Sequence, residues 1–308
     1  MEKMKTPINE LGEFNQNRLW IKREDLIPFS FGGNKARKAQ LFFEEFDNGN
    51  YDSVVTYGSS SSNHCRVIAN ECCRREIDCY IVSPQETSKT TFNSNMMDLF
   101  GADIVIVPVE QVHDTIEGII DSLKQQNKNP FFIQGGGHGN IGTKAYVQCY
   151  EEIKKQEIEI GVKFDYIFFA SGTGTTHAGL VCGQLLSEDK RKIVGISIAR
   201  KNPRGRDVVL DSIREYIGNQ VSDDVIQEST VFIDKYTNGY GIQDTRVINT
   251  IEIVLKKYGI PLDTTYTGKA FMGMTEYIKQ QKIKGKNILF IHTGGTPLFF
   301  DTLNLIYR

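Results

Sequence analysis

The sequence predicts an α/β protein of two domains, each a mostly parallel, twisted sheet flanked by helices. Short apolar runs alternate with helix-period segments from Trp20 to Ile291. Runs such as Ile288-Leu289-Phe290-Ile291 are too continuously apolar for a strand with one wet face, which is the pattern of parallel strands covered on both sides. The chain has 308 residues, about two domains' worth, and more strand–helix units than one small doubly wound sheet holds.

Taken in order, Trp20-Ile21-Lys22 reads as a short strand that ends in the polar turn Arg23-Glu24-Asp25. Gly32-Gly33 then marks a loop, and residues 36–46 suit a helix. Ser53–Tyr57 is a buried strand running into Gly58 and four serines, and a helical pattern covers Asn63–Arg75. Strands expected at 79–82, 103–108 and 131–133 alternate with helices at 91–100, 112–125 and 143–156. The alternation resumes with a strand at 165–170, a helix at 177–187, and strands at 193–199 and 288–291. The hydrophilic stretch 200–223 is expected to be a surface excursion near the site.

Charge narrows the partners. With 36 basic and 38 acidic residues the net charge is −2, and no basic block points to nucleic acid. No apolar run approaches the about 20 residues that a membrane helix needs. The polar start Met1-Glu2-Lys3-Met4-Lys5 leads into Thr6-Pro7 without an apolar segment, so no secretory leader is expected and the cytoplasm is the expected compartment. The 6 cysteines form no C-x-x-C pair and read as reduced core residues. The 5 histidines lack zinc-site spacing, so no metal is expected.

Open α/β sheets bind ligands at the carboxyl ends of their strands. The strand 165–170 runs into Ser171, Gly172, Thr173, Gly174, Thr175 and Thr176, and then into a helix expected to open at His177. Small residues admit an anion close to the backbone, and the helix N-terminus offers free N–H groups and about half a positive charge. This is a phosphate cradle in composition, unless it is simply a tight strand-to-helix turn. It lacks G-K-[ST], which disfavours nucleotide hydrolysis, and it lacks the third glycine of G-x-G-x-x-G. The next strand ends in Arg200-Lys201 rather than an acid, which speaks against NAD but could accommodate NADP.

The second cluster is Gly32-Gly33-Asn34-Lys35-Ala36-Arg37-Lys38. A free lysine, with a pKa of about 10.4, is protonated and a poor nucleophile. Burial beside cations such as Arg37 and Lys38 lowers that value, and a neutral lysine condenses with an aldehyde. By itself Lys35 is an ordinary surface lysine. Beside a phosphate cradle, it points to pyridoxal phosphate. Ser59-Ser60-Ser61-Ser62-Asn63-His64 and His292-Thr293-Gly294-Gly295 also follow strands directly, although the first could be a plain helix cap with extra serines.

Together these segments resemble the pyridoxal-phosphate enzymes of the tryptophan synthase β-like fold (fold type II). Within that group, the chain is similar to the 1-aminocyclopropane-1-carboxylate deaminases and D-cysteine desulfhydrases. The resemblance runs nearly end to end. It is carried by Ile21-Lys22-Arg23-Glu24-Asp25-Leu26, Gly32-Gly33-Asn34-Lys35-x-Arg37-Lys38, Ser62-Asn63-His64-x-Arg66 and Leu99-Phe100-Gly101-Ala102. Gly135-Gly136, residues 171–180, Tyr266-Thr267-Gly268-Lys269-Ala270 and Ile291-His292-Thr293-Gly294-Gly295 complete it.

The resemblance implies that Lys35 holds the cofactor aldehyde and later shuttles the Cα proton. Gly172, Thr173, Gly174, Thr175 and Thr176 would bind the phosphate, helped by Lys38. Asn63 would meet the ring hydroxyl. Ser62 would face the substrate carboxylate or act as an acid/base, and Tyr266 would stack near the ring and handle a proton. Thr293 or Thr267 would meet the pyridine nitrogen. Residues 1–38 and 146–308 would form a large cofactor domain, with 39–145 a smaller inserted domain and the active site in the cleft between them. A small amino acid is the expected substrate and a homodimer the expected assembly.

One departure separates the two family activities. The cyclopropane deaminases carry Glu directly after the tyrosine that matches Tyr266, whereas this chain has Thr267. A hydroxyl partner leaves the pyridine nitrogen largely neutral and weakens the electron sink, which ring opening needs more than β-elimination does. The sequence therefore points to α,β-elimination of the D-cysteine desulfhydrase kind, releasing a 2-oxo acid and ammonia. Ser61 and Gly137-His138 also depart from the family pattern, near the expected substrate end of the pocket. Ring opening of a cyclopropane, NADP-dependent oxidoreduction, and cofactor binding without catalysis are the alternatives.

Overall fold

The computed structural model describes residues 4–239, 241–242 and 244–306. Its strands, in chain order, are β1 (Ile8–Phe14), β2 (Asn17–Arg23), β3 (Ser53–Tyr57), β4 (Asp78–Pro84) and β5 (Asp103–Val107). β6 (Pro130–Ile133), β7 (Tyr166–Ser171), β8 (Lys192–Ser197), β9 (Val231–Ile233) and β10 (Asn287–His292) follow. The helices are α1 (Asn34–Asn48), α2 (Asn63–Arg75), α3 (Phe92–Leu99), α4 (Val112–Gln125), α5 (Asn140–Ile160) and α6 (Thr175–Leu186). α7 (Arg204–Ile217), α8 (Asp223–Ser229), α9 (Thr245–Tyr258), α10 (Thr267–Gln280) and α11 (Thr296–Ile306) complete them. The chain divides into two compact units, one reaching Asn34 and resuming at Gly142, the other spanning Lys35–Ile141.

The larger unit is built on a six-stranded sheet in the order β1-β2-β10-β7-β8-β9. Every pairing is parallel except that of β1 with β2. Ile167, Phe168 and Phe169 of β7 and Ile288 to Ile291 of β10 are wholly buried, as continuous apolar runs require in a sheet covered on both faces. Val247, Ile251 and Val254 of α9 and Ala270, Met274 and Ile278 of α10 pack with Phe168, Val194, Ile196 and Phe290 in one core. Elsewhere α6 lies tight against α5. A Cβ on Gly179 would come within 2.3 Å of the Thr143 carbonyl oxygen, and one on Gly183 within 2.5 Å of Tyr150 Cβ.

The first hairpin escaped the sequence reading. Its turn, Asn15-Gln16, has φ values of 51° and 63°, the left-handed pair that Asn-Gly usually supplies. β1 also breaks register between Glu10 and Gly12 and buries only Leu11, so it shows no alternation. The stretch 200–223 corrects the expectation of a surface excursion. Most of it is helix α7, which buries Val209, Leu210, Ile213 and Ile217 at helical spacing and turns its charges outward.

The Lys22-Arg23-Glu24-Asp25 motif is structural wiring. Lys22, fully buried, donates to Glu152 at 2.5 Å and Gln156 at 2.9 Å. Glu24 accepts from Thr6 Oγ1 and Tyr146, and Arg23 clamps Asp25.

The smaller unit has a four-stranded, all-parallel sheet in the order β5-β4-β3-β6. Its central strand β3 is buried from Ser53 to Thr56. Val55 and Val82 pack with Ile116 and Leu123 of α4 on one face.

Candidate active site

Three neighbouring parallel strands of the larger unit, β2, β10 and β7, end in the loops that sequence singled out. After β7, α6 opens at Thr175, two residues earlier than expected, with Gly174 as its N-cap at φ 110°. Gly174 has no side chain to occupy the leading N–H groups, and Gly172 and Thr173 remain partly exposed, so the turn has the donors an anion needs. Thr175 and Thr176 are buried, and Thr176 Oγ1 accepts from Asn34 Nδ2 at 3.0 Å. His177 is a core residue. Its ring lies against Phe169 and Phe232, and burial, with the charge of Arg206, pushes its pKa down to about 3.

At the end of β10, the hydrogen-bond network fixes the tautomer of His292. Its Nδ1 accepts from the Gly294 N–H at 3.2 Å, so the proton is on Nε2, which donates to the Pro261 carbonyl at 2.7 Å. The Thr293 carbonyl accepts from the Asn34 N–H at 2.9 Å, and among the described residues nothing pairs with the Thr293 hydroxyl. Gly33 and Gly294 touch backbone to backbone. A Cβ on Gly294 would sit 2.5 Å from Gly33 Cα, so neither position admits a side chain.

The Tyr266-Thr267 segment is organised by Asp263, which the sequence reading missed. Its buried carboxylate accepts from the N–H groups of Thr265, Tyr266 and Thr267 and from Thr267 Oγ1 at 2.7 Å. Burial raises its pKa, and those hydrogen bonds offset part of the rise. Thr267 Oγ1 also accepts from the Asp263 N–H, so this hydroxyl is spent on the loop. Its signal was an Asp four residues before the helix start, a capping pattern. Lys269 is likewise structural, with its ammonium on the carbonyls of Ile198 and Gly239.

In the smaller unit, Lys35 lies in the first turn of α1, and its Nζ donates to the Gly136 carbonyl at 2.7 Å. Burial lowers its pKa to about 8. Lys38, one turn on, is fully buried and held well below the usual lysine range by burial and by Lys35. Burial and these two lysines keep His64 neutral; it donates from Nε2 to Thr56, whose own hydroxyl proton goes to Ile133 O. Burial pushes the Cys65 thiol up to about 12, so it is not a counter-ion for Lys35. Lys35 is half-buried, and a desolvated amine of this kind is the type that condenses with aldehydes.

Ser62 is the N-cap of α2, accepting from the Cys65 N–H at 3.2 Å. Ser60 is anchored by the segment 87–94: its Oγ donates to Thr87 O, and Thr91 Oγ1 donates to Ser60 O. Asn63 Oδ1 accepts from Asn93 Nδ2 at 3.0 Å, which leaves the Asn63 amide NH2 as the open donor. Asn93 is a second residue that sequence reading missed, since a lone Asn inside a helix carries no motif.

In the larger unit the Gly174 turn has donors suited to a phosphate, and in the smaller unit the Lys35 amine is suited to an aldehyde. The basic pair proposed for NADP is committed elsewhere. Lys201 Nζ donates to the carbonyls of Asp234 and Thr237, and Arg200 Nη1 to that of Thr173. Among the described residues no three acid, His or Cys side chains are grouped to hold a metal, and no helix is long and apolar enough to cross a membrane.

Residues 2–294 match the family described as pyridoxal-phosphate dependent enzyme. A D-cysteine desulfhydrase of Serratia proteamaculans is 30% identical over 305 residues, 95% of this chain and 91% of that one. One from Yersinia enterocolitica is 29% identical over 303 residues, covering 95% and 91%. The crystal structure of an ACC deaminase homologue superposes with a TM-score of 0.86 at 28% identity, covering 99% of this chain and 93% of that one.

Proposed function

This chain belongs to the pyridoxal-phosphate dependent enzymes, and on that premise we propose that it is a lyase performing α,β-elimination on a small amino acid, in the manner of D-cysteine desulfhydrase. The observation that carries the reading is the Lys35 amine, half-buried, lowered by desolvation to about 8 and held by the Gly136 carbonyl. At neutral pH an appreciable fraction of it is unprotonated, as both aldehyde capture and proton abstraction require.

When bound, pyridoxal phosphate supplies an electron sink for charge developing at the substrate Cα. In this reading the N–H groups and hydroxyls of the 172–176 turn, with Lys38, would hold its phosphate, and the Asn63 NH2 would donate to its ring hydroxyl. Thr293, rather than Thr267, meets the pyridine nitrogen, because the Thr267 hydroxyl is already bonded twice to Asp263. Asp263 itself is occupied by four donors, so it offers no carboxylate to the ring. A neutral hydroxyl partner favours substrates with a good β-leaving group. Lys35 Nζ would take the Cα proton, Ser62 Oγ would orient the substrate carboxylate or pass a proton, and the Tyr266 hydroxyl would donate or accept a proton. For D-cysteine plus water the products are sulfide, pyruvate and ammonia.

The holoenzyme with a panel of D- and L-amino acids, each product assayed separately, tests this. D-Cysteine should yield the three products in equal amounts; no turnover anywhere on the panel would leave only cofactor binding. Ring opening of 1-aminocyclopropane-1-carboxylate is the second reading, favoured by the similarity to an ACC deaminase homologue, and that substrate belongs on the panel. A homodimer is part of the proposal, supported by the family resemblance and checked by sedimentation.

A further inference from the structure

Asn93 lies in the first turn of α3 and is fully buried. Its two amide protons have separate destinations, the Ser61 carbonyl at 2.9 Å and Asn63 Oδ1 at 3.0 Å. Its own Oδ1 is buried with no hydrogen-bond partner among the described residues. A buried acceptor left unpaired is costly, and an amide can normally avoid that cost by rotating half a turn. Here rotation would aim the Asn93 carbonyl at two other carbonyl oxygens. The network therefore permits one orientation of Asn93.

That orientation dictates the next one. Asn63 and its flipped form have nearly the same shape, so packing alone does not choose between them. With Asn93 donating to Oδ1, the Asn63 NH2 must face away from α3. The start of α3 is itself immobilised by a capping box between Thr91 and Ser94, and Thr91 is tied to the Ser60 carbonyl. We infer that Asn93 is a positioning residue that sets the Asn63 carboxamide so that a donor, not an acceptor, is presented to the oxygen on the cofactor ring. The inference rests on the reading that Asn63 meets that oxygen. An outward carbonyl would repel it, and an outward NH2 stabilises its anionic form.

The test uses holoenzyme and three variants, Asn93→Asp, Asn93→Ala and Asn63→Ala. The readouts are the equilibrium constant for pyridoxal phosphate and the pH dependence of its bound visible absorption, with circular dichroism reporting folding. Asn93→Asp should weaken cofactor binding about ten- to a hundredfold, the range for a lost hydrogen bond to a charged group, and shift the absorption titration. It should do so more than Asn93→Ala, because a carboxylate at 93 would draw the Asn63 NH2 inward and turn its carbonyl toward the ring. Wild-type affinity and absorption in folded Asn93→Asp or Asn93→Ala, with Asn63→Ala altered in both, would overturn the inference while leaving the role of Asn63 intact. If Asn63→Ala also matches wild type, the reading of Asn63 falls and takes the inference with it. Failure of both Asn93 variants to fold would assign Asn93 a purely structural task and overturn it equally.

Discussion

Asn34 Nδ2 donates to Thr176 Oγ1 at 3.0 Å, and the N–H of the same asparagine donates to the Thr293 carbonyl at 2.9 Å. One residue, the first of α1 after the β2 loop, thus ties together the turn after β7 and the loop after β10. The next residue in the chain is Lys35. The residue that precedes Lys35 is therefore bonded to both loops proposed to receive the phosphate and the pyridine nitrogen.

Replacing Lys35 tests the central assignment. Lys35→Ala should lower kcat/KM by about a thousandfold, within the usual range for losing a positioned general base, and should abolish the visible absorption of the bound cofactor. Thermal unfolding of the cofactor-free protein should not be weakened, because the substitution removes an amine whose ionisation burial opposes. Retention of the absorption band would assign the aldehyde to another lysine.

The Lys35 pKa of about 8 predicts a pH profile. The rate at which cofactor-stripped enzyme captures added pyridoxal phosphate should climb up to pH of about 8 and then level off, whereas an ordinary lysine would still be climbing two units higher. The same shift has a sign for stability. Between about 8 and 10.5 the unfolded chain holds a proton that the folded one has released, so this residue's contribution rises with pH across that window. Stopped-flow absorbance over pH 6 to 10 reads the kinetic half of the prediction.

The two threonines should separate cleanly. Thr267→Val takes one donor from the buried Asp263 carboxylate and should cost about 1–3 kcal/mol in urea unfolding. Thr293→Val removes a hydroxyl with no partner among the described residues, so it should leave stability nearly unchanged while altering the bound cofactor's absorption and kcat. If the spectral effect belongs to Thr267→Val instead, the pyridine partner has been assigned to the wrong hydroxyl.

Gly294→Ala should be severe for its size. The residue is at φ 98°, and its Cβ would sit 2.5 Å from Gly33 Cα. A loss of about 2–4 kcal/mol is expected from combined backbone strain and overlap. Cofactor affinity should fall with it, since the Asn34–Thr293 link lies at the same contact. Calorimetry of the apo and holo forms distinguishes the two effects; near-wild-type melting would mean that the loops yield easily.

Much of this was open to reading in one dimension. Ser53–Tyr57, Asn63–Arg75 and the runs at β7 and β10 declare themselves because a parallel strand buried on both faces has to be apolar throughout, and a helix start advertises its cap. The turn proposed for the phosphate and the lysine proposed for the aldehyde could be picked out because their chemistry is local: glycines and threonines after a strand, and a lysine after a glycine pair. The first hairpin was not, since Asn15-Gln16 adopts a turn conformation its residue types only weakly prefer, and α7 was hidden beneath its charged face.

Residue order by itself determined the α/β class, the family and the residues that could carry an aldehyde and a phosphate, because these depend on periodicity and on groups close together in the chain. Tertiary structure alone decided that the Thr267 hydroxyl is spent on Asp263, that His292 is protonated on Nε2, that Asn93 orients Asn63, and that the Lys35 amine is lowered to about 8. Each of those depends on which donor meets which acceptor and on how much water is excluded, and neither quantity exists until the chain is folded.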